Sequence, residues 1–280
     1  MVFENRQEEV TNLLKLVEGD VSVFFYDLNT NRRYMLNENE PFNTASLMKV
    51  LVGLQLVRLF ESGKLDENAT IELKNSFASK HDNSLFQLSE TMDGEKILYS
   101  KIGLKVCVTE LLELMITQSS NLATNNLFEL IENYCNIADL LVELKMTDTK
   151  ILRGVEDQKA YDAGMINTTT SADLIKLYQH IHYGIFAGNK SITLLYEIMK
   201  RQEHNSIIPA LLPKNLHIAH KTGTLKSTIH DAALISSDTG KNYILILLSK
   251  NLQNKALTTN AFAKMSEAFY SLASEKTITA

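Results

Sequence analysis

Apolar residues recur at helical spacing near the start of the chain, where Val10, Leu13, Leu14 and Val17 share one stripe of residues 1–19 and Gly19 is a natural stop. The period then changes. Val21 to Asp27 and Arg33 to Leu36 are rich in β-branched and aromatic residues and flank Asn29-Thr30-Asn31, a pattern that predicts a hairpin. From Ala45 to about Ile181 helical spacing returns, in segments near 46–62, 107–117, 121–134 and 171–181. Three strands follow, at His217 to Thr224, Ala232 to Ser236 and Tyr243 to Ser249, the last two joined through Asp238-Thr239-Gly240. A final helix around 254–273 carries Leu257, Ala261, Met265, Phe269 and Leu272 on one face. Strands from both ends of the chain around a helical insert predict an α/β fold of the α+β sandwich kind. Its antiparallel sheet, flanked by helices, is expected from residues 1–43 and 200–280. An all-helical subdomain spans 44–199, with a cleft between the two parts. Residues 74–101 are polar and lack helical periodicity, which predicts a surface excursion.

Composition narrows the class. With 280 residues, 45% hydrophobic and 22% charged, the chain has the balance of a folded globular protein with a substantial core. A net charge of -5 provides no dominant positive field, so neither nucleic acid nor an anionic membrane is an expected partner. The most apolar run, Val50 to Leu59, is interrupted by Gln55 and Arg58 and is too short to span a bilayer. Cys107 and Cys135 lie far apart without C-x-x-C spacing, which argues against structural zinc and leaves their pairing open. His180 and His182 do not share a helical face, H-E-x-x-H is absent, and no glycine-rich phosphate loop occurs; no metal and no cofactor are expected.

Three short motifs carry candidate chemistry. Ser46-Leu47-Met48-Lys49 opens a helix that is apolar almost all round and must be buried. Three residues apart, the hydroxyl and amine share a helical face, and an amine held in an apolar setting is a better proton acceptor than a solvated one. Read alone, the same spacing also fits a capping serine and a lysine that snorkels to solvent. Ser119-Ser120-Asn121 lies between two helical segments, where polar triplets are ordinarily caps. Lys221-Thr222-Gly223-Thr224 falls on a predicted strand, where the lysine adds positive charge and the glycine permits close approach to the backbone.

In this order and on these elements, S-x-x-K, S-x-N and K-T-G resemble the motif set of class A β-lactamases and related penicillin-recognising active-site serine hydrolases. Thr109-Glu110-Leu111, Met115-Ile116 and Ser119 to Asn125 are similar to that family's run into and out of its S-D-N loop. The resemblance implies a β-lactamase/transpeptidase-like fold in which Ser46 forms the acyl-enzyme. Lys49 would take its proton, Ser119 would relay a proton to the leaving nitrogen, and Asn121 would bind the substrate amide. Lys221 and Thr222, on the K-T-G strand with Gly223, would hold the substrate carboxylate, and the backbone N–H groups of Ser46 and Thr224 would form the oxyanion hole. It also implies a monomer acting in the periplasm or after secretion, on a small β-lactam or an acyl-peptide, with antibiotic resistance as a role. An aromatic flanks the cleft in that family, and Tyr99 stands near the comparable place.

Two departures matter. The middle residue of S-D-N is Ser120, a change expected to affect support of the loop more than chemistry. Where the family carries R-x-E-x-x-L-N, the chain reads Arg153-Gly154-Val155-Glu156-Asp157, so the carboxylate of the deacylation base is displaced by one residue. Glu156 is therefore a conditional base or a surface acid. That choice separates a β-lactamase from a DD-peptidase- or esterase-like hydrolase, and from a penicillin-binding sensor acylated once without turnover.

Overall fold

The computed structural model describes residues 2–274; residue 1 and residues 275–280, the outer ends of the two predicted terminal segments, lie outside the described residues. The helices are α1 (Val2–Leu14), α2 (Met48–Glu61), α3 (Val108–Thr117), α4 (Asn121–Glu132), α5 (Ile137–Glu143), α6 (Gln158–Asp162), α7 (Ser171–Phe186), α8 (Lys190–Met199) and α9 (Lys255–Ser274). The strands are β1 (Asp20–Asp27), β2 (Arg33–Leu36), β3 (Phe42–Asn43), β4 (Thr70–Glu72), β5 (Phe77–Ala78), β6 (Leu85–Phe86), β7 (Lys105–Cys107), β8 (Thr168–Thr169), β9 (His217–Leu225), β10 (Thr228–Ser236) and β11 (Asn242–Lys250). Five of these form one antiparallel sheet in the order β2-β1-β11-β10-β9, which draws on both ends of the chain as the hydrophobic pattern predicts.

Alternation along the strands divides the interior into two cores, because successive side chains point to opposite faces. Val23 and Phe25 of β1 pair with Leu247 and Leu245 of β11, and all four pack on one face with Phe262, Met265 and Phe269 of α9. The rings of Phe25 and Phe269 stack at 4.9 Å. Phe24 and Tyr26, opposite Ile246 and Ile244, turn the other way into the core shared with α2, α3, α4, α7 and α8. Helix α2 is the axis of that second core: Val50, Leu51, Val52, Leu54, Leu56 and Val57 are all buried, as its uniformly apolar sequence requires.

The middle of the chain differs from expectation in two respects. Residues 44–199 are not all-helical: β4 pairs with β7, β5 with β6, and β8 with β3. These ladders are two or three residues long, below the length at which alternation is readable. Nor is 74–101 only a surface excursion, since Ser79, Asp93, Glu95 and Leu98 are buried and the stretch reaches the start of α4. Among the described residues, no helix is long and apolar enough to cross a membrane. Cys107 and Cys135 are both free thiols.

Candidate active site

Ser46 occupies a single 3-10 turn, Ala45–Leu47, that runs directly into α2. Asn43 prepares this turn: its Oδ1 accepts from Ala45 N at 2.9 Å, and its carbonyl accepts from His230 Nε2 at 2.8 Å. Burial pushes the His230 imidazole down to about 4, so it is neutral near pH 7, with Nδ1 free to accept from Ser249 N at 3.1 Å. The edge strand β9 lies against this turn. At Gly223 a Cβ would stand 3.1 Å from Ala45 Cβ and 3.3 Å from Ser46 N, so the glycine lets the strand approach the backbone of Ser46.

A continuous hydrogen-bonded chain joins the predicted groups. Ser119 Oγ lies 3.0 Å from Ser46 Oγ, and Lys49 Nζ reaches Ser119 Oγ at 3.1 Å, Ser119 O at 2.7 Å and Asn121 Oδ1 at 2.8 Å. Asn121 Nδ2 then donates to Glu156 Oε1 at 2.7 Å. Lys49 thus meets Ser46 through the Ser119 hydroxyl. Burial first, and Lys221 second, push the Lys49 amine well below its usual value, against the opposing pull of Asp93 and Glu156. Ala45, Ser119 and Glu156 adopt φ of 44°, 61° and 58°. Each costs roughly 1 kcal/mol as a non-glycine residue in the left-handed region, and all three lie in or beside the hydrogen-bonded chain.

The loop bearing Glu156 is fixed from three sides. Asn125, one helical turn beyond Asn121 on α4, clamps Val155 with Nδ2 to its carbonyl at 2.9 Å and Oδ1 from its N–H at 2.8 Å. Asn167 Oδ1 accepts from Leu152 N, and Asn167 Nδ2 donates to Arg153 O. Asp157 turns away from the cleft to accept from Ser79 Oγ and Lys80 N. Glu156 itself has a positive φ, and its carboxylate meets Asn121 despite its displacement along the chain.

A cavity of about 430 Å³ opens over Ser46, Ser119 and Asn121 and is bounded by Thr222 and Thr224 of β9. Lys221 differs from a solvated edge charge: it is fully buried, its Nζ donates to Thr222 O at 3.1 Å, and burial lowers it to about 7. Lys221 is thus not among the residues that line the cavity, whereas the exposed Lys255 at the start of α9 is. Tyr99 is turned inward, its hydroxyl donating to Asp93 Oδ2 at 3.1 Å, and the side chain at the rim is Met92. The sequence carries no signal for Asp93, His230 or Lys255, and Asn125 stands there only as the end of the family-like run from Ser119, four residues from Asn121 on one helix face.

The chain is similar to known proteins over nearly its whole length. The Beta-lactamase enzyme family matches residues 5–273. Extended-spectrum beta-lactamase PER-1 of Pseudomonas aeruginosa is 21% identical over 276 residues, covering 94% of this chain and 86% of the relative. Beta-lactamase VEB-1, from the same organism, is 23% identical over 80% of this chain and 75% of its own length. A solved beta-lactamase from Chitinophaga pinensis superposes with a TM-score of 0.81 at 21% identity, covering 96% of this chain and 99% of that one.

Proposed function

Because this chain belongs to the β-lactamase enzyme family, we propose that it is a class A-like serine β-lactamase that opens the β-lactam amide through an acyl-Ser46 intermediate. The observation that carries this reading is the unbroken path Ser46–Ser119–Lys49–Asn121–Glu156, with a nucleophile at one end and a carboxylate at the other.

Acylation needs a base, and a buried amine beside a second buried cation favours its neutral form. A neutral Lys49 donates to Ser119 O and Asn121 Oδ1 and turns its lone pair to Ser119 Oγ. As Ser46 Oγ attacks the lactam carbonyl, its proton passes to Ser119 Oγ while the Ser119 proton passes to Lys49. Ser119 Oγ then gives its proton to the departing lactam nitrogen and takes one back from the Lys49 ammonium, and the C–N bond breaks. The N–H groups of Ser46 and Thr224, brought together by the approach of β9 at Gly223, stabilise the tetrahedral oxyanion. Thr222, Thr224 and Lys255 receive the substrate carboxylate, with the buried Lys221, bonded to the Thr222 carbonyl, adding positive potential. Glu156 then activates the water that hydrolyses the ester. The resemblance that points to this chemistry also points to the periplasm or exterior as its place of action.

Incubation of the pure protein with a chromogenic cephalosporin, followed by intact-mass measurement, tests the reading. Many products per protein, with a transient adduct on Ser46, are expected. A single stoichiometric burst with a lasting adduct would instead identify a peptidase or a sensor. Neither adduct nor turnover would overturn acyl-serine chemistry on β-lactams altogether.

A further inference from the structure

Helix α4 begins at the residues that present Asn121 to Lys49, and its first N–H groups have no partners within the helix. Ser120 Oγ accepts from Ala123 N at 3.2 Å. The other two are taken by a residue far away in sequence. Asp93, 6% exposed, accepts from Asn121 N at 2.9 and 3.0 Å through its two oxygens and from Leu122 N at 2.8 Å. The hydroxyls of Tyr99, at 3.1 Å, and Ser120, at 3.4 Å, add two more donors to Oδ2. A carboxylate at a helix N-terminus is favoured by the exposed N–H groups and by the helix dipole. The neighbouring residue is shaped for this contact, since a Cβ on Gly94 would lie 2.1 Å from the carbonyl oxygen of Gln118. The loop therefore packs backbone to backbone against the Ser119 turn, an approach that only glycine permits.

We propose that Asp93 is a positioning residue for acylation: it holds the Ser119–Asn121 turn against Ser46 and Lys49, in place of the aspartate that S-D-N motifs carry where this chain has Ser120. The proposal rests on the acyl-serine reading above. It explains why Ser120 is small and neutral. A carboxylate there would stand beside the one already supplied by Asp93, and two such charges in a buried site repel. Asp93 also acts on the proton acceptor. Lys49 is faced by Lys221 from β9, Glu156 from the loop after Arg153, and Asp93 from the loop before Tyr99, and the two carboxylates oppose the effect of burial and of Lys221.

The test exchanges the source of the carboxylate. Asp93→Asn should slow acylation of Ser46 by benzylpenicillin by about ten- to a hundredfold, the range for losing hydrogen bonds to a charged group. The acid limb of its pH profile should move to lower pH, because removal of a negative charge makes Lys49 easier to deprotonate. Ser120→Asp alone should also be slow. The double variant, D93N with S120D, should recover at least about tenfold over D93N, a coupling that a general loss of stability does not produce. In ¹H–¹⁵N spectra the amide protons of Asn121 and Leu122 should move upfield in D93N and return in the double variant. Wild-type acylation rates and an unmoved acid limb in D93N would overturn the proposal, as would a double variant no better than either single one. Should D93N fail to fold, undiminished acylation in S120D would overturn it. Were the wild type itself inert to β-lactams, the functional reading would fall, and the two amide resonances, unmoved in D93N, would then overturn the role of Asp93 independently.

Discussion

Glu156 Oε1 accepts a hydrogen bond from Asn121 Nδ2 at 2.7 Å, which ties the carboxylate to the residue whose Oδ1 holds Lys49. Ser89 N, 3.3 Å from Oε2, is its second donor. On the proposed reading, Oε1 stays on Asn121 and Oε2, held only by the longer bond from Ser89 N, is the oxygen that orders a water against an ester on Ser46. Glu156→Gln removes the base and keeps the shape. Acylation should stay within a few-fold of wild type, while deacylation should slow by about 10²- to 10⁴-fold, the usual contribution of a general base. Stopped-flow turnover paired with time-resolved mass measurement checks both steps, and an unchanged steady-state rate removes Glu156 from the mechanism.

The clamp of Asn125 on Val155 makes a second prediction. A Cβ on Gly154 would lie 2.4 Å from Asn125 Oδ1, and that side chain is fixed by two hydrogen bonds to Val155. Gly154→Ala therefore has to displace the loop and not merely a mobile side-chain tip. Overpacking of this kind costs about 1–3 kcal/mol. Deacylation should slow at least about tenfold while acylation and the acid limb of its profile are preserved. Equal losses in both steps would mean that the loop also positions Ser46 or Lys49.

The large elements were legible because they are long enough for their periods to show. Residues 46–62 are apolar almost all round and contain the buried α2; the strands at 217–225 and 242–250 are nine residues each and bury both faces along their middles. Each S-x-x-K, S-x-N and K-T-G motif falls on a helix start, a turn and a strand, so their meeting follows from topology. Short pieces were not legible. The pairing of β4 with β7 depends on contacts between segments some 35 residues apart, and α6 has only five residues. Asp93 lies in a polar stretch without periodicity, and its role exists only because Gly94 brings that stretch against Gln118. Glu156 is displaced by one residue in the sequence; its left-handed φ and its hydrogen bond to Asn121 are not visible there.

Lys255 stands at the mouth of the cavity with Thr222 and Thr224, and its Nζ donates only to the Leu225 carbonyl, at 3.2 Å, among the described contacts. As an exposed ammonium it acts on an incoming carboxylate through a solvated field, which salt weakens. Lys255→Glu should raise KM for carboxylate-bearing β-lactams by about tenfold or more, with a smaller change in kcat. Raising ionic strength should narrow the gap. For a methyl ester of the same β-lactam the variant and wild type should differ little; an equal loss on the ester would make Lys255 a packing residue.

Lys221 links catalysis to stability through pH. Burial holds its amine at about 7, against 10.5 for the exposed group, so the unfolded chain binds this proton throughout the interval where the folded chain has released it. Stability attributable to Lys221 therefore rises with pH between those values, and the full penalty for burying the ammonium is felt below about pH 7. A displacement of that size corresponds to a cost on the order of 5 kcal/mol for the charged form. Lys221→Met fills similar space without a charge. Its Tm should exceed that of the wild type by several degrees at pH 6, and by much less at pH 9. Loss of the buried cation also removes the repulsion that lowers Lys49, so acylation should slow and its acid limb should move to higher pH. Thermal denaturation at the two pH values reads the first effect and the acylation profile the second. A variant less stable at pH 6, or a gain that ignores pH, would mean that Lys221 is buried without strain and that its charge is retained for packing alone.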